Sequence, residues 1–291
     1  MSHDHHHHHD SSKNIKTVFF LNLSFTIFEI IGGFYVNSVA IISDAVHDLG
    51  DSLSLGFSWY MQEKSNKKPT KTFTFGYKRL SLLGALVNCL VLLSGSVFVI
   101  YAAVDRLITP QHSDAQGMFI FAIFGVLVNG YAAWKISTGK TLNERVMSWH
   151  LIEDVLGWFA VLIVAIVLHF KDIPYLDPAL SLLITFFILW NVIKRLKETL
   201  YLFLQAQPFD VDLDIIKNEI LNIPNINNTH HTHIWSLDGE HHVFTTHVVL
   251  KENTSFNEML SVKKELKKVL HKYPFDHITI ETEFANGDCS M

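Results

Sequence analysis

The sequence predicts a membrane domain of six helices followed by a small α+β domain. Three observations predict it. The 291-residue chain is 49% hydrophobic and only 18% charged, with a mean hydropathy of +0.23. Its apolar residues are gathered into six long blocks, each near the ~20 residues that cross a bilayer. After Gln207-Pro208 the composition changes to that of a water-soluble domain with helical and alternating apolar periods.

Taken in order, Met1 to Asp10 is His-rich and acidic and cannot form a core. It reads either as a metal-collecting arm or as an unselected, tag-like tail. The six blocks lie at about 15–36, 39–62, 79–104, 117–138, 147–169 and 175–197. Gly32-Gly33, Gly84-Ala85 and Ser94-Gly95-Ser96 offer small faces for close helix packing. Asp177-Pro178 reads as a cap and first-turn proline opening the sixth helix.

Basic residues set the sidedness. Lys64, Lys67, Lys68, Lys71, Lys78 and Arg79 lie between blocks two and three. Lys140 and Arg145 lie between four and five with Lys135 at the end of the fourth, Lys194, Arg195 and Lys197 close the sixth, and Lys13 and Lys16 precede the first. The opposite loops hold only Arg106 and Lys171, so both termini are expected in the cytoplasm.

In the soluble part, 211–222 reads as a helix, and 229–237 and 242–250 as strands around the Asp238-Gly239 turn. Residues 255–272 have helical spacing and 277–284 alternate. The order αββαβ predicts a ferredoxin-like α+β domain. The expected division is a disordered His-rich arm over 1–14, a transmembrane domain over 15–200, the soluble domain over 208–284 and a tail over 285–291. Cys89 and Cys289 make neither a disulfide framework nor a Cys-based zinc motif. There is no cleavable signal pattern.

The chemistry is concentrated in the second and fifth blocks. The second carries Asp44, His47, Asp48 and Asp51. On a helix these fall within an arc of roughly a quarter turn. A charge near the bilayer centre costs about 2.5–3.5 kcal/mol even on the lenient insertion scale. The cluster is therefore expected to face protein, water or an ion. In the fifth block His150 and Asp154 repeat the spacing of His47 and Asp51. His47, Asp51, His150 and Asp154 together make a tetrahedral ligand set suited to zinc. Asp44 and Asp48 read as lining an access path or pairing with a neighbouring helix, and Glu153 as supporting a ligand histidine or facing solvent. Asn88 and Glu29 read as helix–helix hydrogen bonds, and His112 and His169 as bystanders. In the soluble domain, His231, His233 and Trp235 share a strand face with His247 beside them, and Trp235 reads as an interface anchor. His231, His233, His247 and Glu283 are a candidate second metal site; the alternative is a polar outer face of hydrogen-bonded histidines.

These residues resemble the cation diffusion facilitator family of metal transporters over about residues 14–284. The similarity rests on Ser43-Asp44-Ala45-Val46-His47 through Asp51, on Phe75-Gly76-Tyr77-Lys78-Arg79 with Leu83 to Asn88, and on His150 to Asp154. His231 to Trp235 and His277 to Glu281 extend it into the soluble domain. The His-rich N-terminus and short loop between helices four and five are similar to the bacterial zinc-efflux subgroup. The resemblance implies a homodimer in the bacterial inner membrane, exporting Zn2+ in exchange for protons, with Cd2+ tolerated and the soluble domains meeting at the dimer axis. It implies no enzyme activity and no nucleic-acid partner. Residues 63–79 hold no His or Asp, so no third site is expected there. Ser81 stands where many members carry an acid, and Glu281 and Glu283 stand where some carry a His-x-Asp pair.

Zinc requires neutral histidine, so metal and protons compete for His47 and His150. The competing readings are a membrane zinc sensor that does not transport, an uptake route, and an intramembrane metalloenzyme. The last needs an open coordination position and a nearby base.

Overall fold

The computed structural model describes the backbone over residues 7–65, 69–137 and 142–284, and side chains over 19–57, 60, 69–134 and 152–284. Much of the His-rich arm, the basic residues Lys67, Lys68 and Lys140, and the tail with Cys289 lie outside the described residues. The chain divides into two units, one of residues 1–64 and 84–196 and one of 65–83 and 197–291.

The first unit is helical. It holds α1 (His7–Tyr35), α2 (Val39–Ser65), α3 (Leu80–Ile108), α4 (Ala115–Ser137), α5 (Leu142–Phe170) and most of α6 (Leu176–Phe203). Helix α1 reaches back to His7, into the stretch expected to be disordered. Extending an existing helix costs little, because each added residue brings one backbone bond without a new nucleus. Among the described residues, α3 to α6 are long and apolar enough to cross a membrane. The described apolar part of α1 spans Phe19–Tyr35, and α2 carries acids that lower its hydropathy.

Helix α2 lies at the centre of the packing. Ala40 and Ile41 join Met118, Ala122, Trp158 and Val161 of α4 and α5. Val39 and Ile42 join Val99 and Ala103 of α3. The small faces receive side chains: a Cβ on Gly32 would stand 2.2 Å from Phe121, and one on Gly84 2.0 Å from Phe57. Outward, Val97, Tyr101, Leu127, Leu183 and Trp190 are exposed, as lipid-facing side chains are.

One expectation is corrected here. Asp177 does not serve as the cap of its own helix; it caps α2. Its buried carboxylate accepts from Ser38 Oγ at 2.5 Å, Val39 N at 2.8 Å and Ala40 N at 3.3 Å, with Arg106 Nη1 at 3.7 Å. The first amides of a helix have no partner within it, so a carboxylate from a neighbouring helix satisfies them as well as a local one. Asn88 makes the expected interhelical bond, donating from Nδ2 to Ser54 Oγ at 2.7 Å.

The second unit follows the order α7 (Leu213–Leu221), β1 (Ile226–Ser236), β2 (His242–Leu250), α8 (Phe256–Leu270), β3 (Phe275–Phe284). This is the αββαβ order read from the sequence. The sheet runs β1-β2-β3, with β1 and β2 antiparallel and β2 and β3 parallel. Asp212 caps α7, and Ser255 with Glu258 forms a capping box on α8. Ile216 and Ile220 of α7, Val262 and Leu266 of α8, and Phe244 and Val248 of β2 share one core. Gly239 closes the hairpin at φ +104°, where a side chain would be strained. Strand β1 bulges between His230 and His233, and His231 sits at φ 45°.

Candidate functional site

The acids and histidine of α2 divide between two neighbouring helices. Positions 44, 47 and 51 share the side turned to α5. Asp44 Oδ1 lies where a Cβ on Gly157 would come within 3.4 Å of it. His47 Nε2 is 3.7 Å from Asp51 Oδ2 and 3.8 Å from Asp154 Oδ1 of α5. Both separations exceed an ordinary N–H···O bond. Zinc bonds of ~2.0–2.2 Å in a tetrahedron place neighbouring donor atoms about 3.3–3.6 Å apart. Each of the two carboxylate oxygens thus stands near that spacing from His47 Nε2. Asp154 is buried and Asp51 partly exposed, so the group is enclosed but not sealed. His150 lies on α5 one turn before Asp154, outside the residues whose side chains are described. Glu153 is exposed.

Asp48 turns the other way, towards α1. Its backbone oxygen accepts from Asn22 Nδ2 at 3.3 Å, and its carboxylate faces that of Glu29. Glu29 is fully buried; its carboxyl is within hydrogen-bond reach of that of Asp48, and among the described residues no other side chain donates to either of its oxygens. The sequence reading of Glu29 as a helix–helix hydrogen bond names no partner; the packing of α1 on α2 supplies Asp48.

A second cluster lies on the sheet of the other unit. His230 Nε2 is 3.2 Å from Glu283 Oε2, and His247 Nδ1 bonds Glu283 Oε1. His230, His247 and Glu283 each offer a ligand atom within 4.8 Å of the others. His247 Nε2 is also 3.5 Å from Glu281 Oε2. The bond from His247 holds the Glu283 carboxyl below its usual range, with His230 adding to it and desolvation opposing. The ring of His231 stands 5.4 Å from that of His247. His233 is exposed and lines a separate cleft with Thr232, Trp235 and Thr245. Strict alternation put His231 and His233 on one face and His230 on the other. The bulge at His231 breaks that alternation and turns His230 onto Glu283, which periodicity alone had no means of showing. Trp235 is half-buried and lines a cavity of about 340 Å³ with Phe73, Phe75, Lys78 and Arg79.

Comparison with known proteins covers both units. Residues 15–204 match the cation efflux transmembrane domain, and residues 208–285 match the cation efflux protein cytoplasmic domain. The chain is 32% identical to the metal cation efflux system protein CzcD of Cupriavidus metallidurans, over 97% of this chain and 90% of that one. It is 31% identical to a cadmium, cobalt and zinc/H(+)-K(+) antiporter of Bacillus velezensis, over 98% and 93%. It is also 31% identical to the zinc transporter ZitB of Pectobacterium atrosepticum, over 99% and 91%.

Proposed function

The chain belongs to the cation diffusion facilitator family, as a multi-pass membrane transporter of metal cations in its zinc-efflux subgroup, and we propose that it exports Zn2+ from the cytoplasm in exchange for protons. The observation that carries this reading is one imidazole held between two carboxylates on two packed helices, inside a largely apolar helical unit. His47, Asp51 and Asp154 are the proposed ligands, with His150 as the fourth from its matching spacing. Asp44 lines the approach beside them.

Two imidazoles and two carboxylates suit an ion that must load and leave, which a four-thiolate site would trap. Zinc arriving from the cytoplasm displaces protons from His47 and His150. On the far side protons reclaim those nitrogens and zinc is released. The relatives described as zinc transporters and as a cadmium, cobalt and zinc/H(+)-K(+) antiporter support both the cargo and the coupling, and make Cd2+ a second substrate.

The proposed architecture is six transmembrane helices, both termini in the cytoplasm of a bacterial inner membrane, and a ferredoxin-like cytoplasmic domain. Two chains pair through that domain. His230, His247 and Glu283, with His231 beside them, are the proposed cytoplasmic metal site. His233 stands outside the group.

Zinc flux into proteoliposomes under an imposed pH gradient tests the reading. Wild type should move zinc in the direction opposite to the proton flow, and Asp51→Ala and Asp154→Ala should each abolish the movement. The cluster at His230, His247 and Glu283 favours a second reading, a sensor that binds zinc without moving it. Zinc binding with no flux in wild type would select that reading.

A further inference from the structure

We propose that Glu29 and Asp48 form a second cation position on the transport path, at the seam between α1 and α2. The inference rests on the export reading. Glu29 is fully buried and Asp48 is 6% exposed, in a unit whose outer surface is apolar. Their carboxylates face each other, and Asp44 and Asp154 lie near enough to add to the negative field on Glu29. Among the described residues, nothing outside the Glu29–Asp48 pair donates a hydrogen bond to either oxygen of Glu29, and one oxygen of Asp44 is buried without a hydrogen-bond partner. Such a group inside a membrane is expensive, and acids of this kind mark ion or proton pathways.

The rest of the seam offers the same chemistry. Thr26 and Ser52 are buried, with their hydroxyls 3.3 Å apart. Asn22 Nδ2 donates to Ser52 Oγ at 3.0 Å and to the Asp48 backbone oxygen at 3.3 Å. Asn22, Thr26 and Glu29 recur at helical spacing and face Ser52 and Asp48, so oxygen atoms run along the interface for two turns. An oxygen-only position holds a divalent ion less tightly than one that includes imidazole. Next to the His47 group, it suits an ion in transit. The ion moves from the imidazole-containing ligands to the Glu29–Asp48 pair, and neither position becomes a trap.

The test uses the full-length chain with Zn2+ as probe. Glu29→Gln removes the charge and keeps the shape. Equilibrium zinc binding by titration calorimetry should stay within about threefold of wild type, because the imidazole-containing site dominates affinity. Zinc flux in proteoliposomes should fall by about tenfold or more, a loss in turnover rather than in binding. The number of protons exchanged per zinc should not change, and Glu29→Asp should recover much of the flux. Wild-type flux in Glu29→Gln would overturn the proposal. So would fewer protons per zinc, since Glu29 would then carry a proton and not the metal. Equal losses of binding and flux would make Glu29 a helix-packing residue and also overturn it. If Glu29→Gln fails to fold by thermal melting, Asp48→Asn takes its place with the same expectations. Absence of flux in wild type would defeat the export reading itself, which equal flux in wild type and variant would not.

Discussion

His47 shows how much one side chain's surroundings decide. Its Nε2 stands between two carboxylates, that of Asp51 one turn along its own helix and that of Asp154 on α5. Its place on α2 and its spacing from Asp51 were legible, because a helix has one period and charged residues in an apolar run stand out. Glu29 was legible as a helix–helix hydrogen bond but not by partner, since Asp48 comes from another helix. Glu283 carries a prediction that can be checked without transport. Its carboxyl is held low first by the bond from His247, so it stabilises the fold above the unfolded value of about 4.3. That contribution is lost as pH falls through the lower folded value. Glu283→Gln should therefore lower the melting temperature at neutral pH and flatten its decline in acid, read by thermal unfolding across a pH series.

At the scale of elements, the helices are held by close fits and the second unit by caps and register. A Cβ on Gly125 of α4 would stand 2.1 Å from the buried ring of Trp158 on α5. Gly125→Leu should overpack this interface and cost about 1–3 kcal/mol, seen as earlier thermal unfolding in detergent. Ser255→Ala removes the cap of α8 and should cost about 1 kcal/mol, with its effect confined to the unfolding of the second unit. The αββαβ order was readable because each element has its own apolar period and turn residues. The bulge in β1 was not, because an inserted residue leaves the same composition. It changes which histidines meet, and so brings His230 onto Glu283.

At the scale of the whole molecule, the two proposed metal positions, in separate units, should add to stability when loaded. A ligand that binds only the folded state stabilises by about 2.7 kcal/mol at a hundred times its Kd. Zinc should raise the melting temperature of the full chain and a chelator should reverse it. His47→Ala and Glu283→Gln should each remove part of the increment, and together nearly all of it. Within the second unit, Lys78 of the segment before α3 pairs with Asp276 at the start of β3. Burial opposes the ionised Asp276, and the bond and charge of Lys78 more than offset it, keeping the carboxyl below its usual range. The pair is partly exposed, so it contributes only modestly to stability.

The amino-acid sequence by itself determined that the chain enters a membrane, that two apolar helices carry matched His-x-x-x-Asp pairs, and that an αββαβ unit follows. Each is a local property: hydropathy over ~20 residues, a period of 3.6 or 2, a turn residue at its place. Only the tertiary structure decided that Asp177 caps α2, that Glu29 faces Asp48, and that His230 joins His247 and Glu283. Those are pairings between elements distant in sequence. They are set by which faces pack together, and packing is a property of the folded chain as a whole.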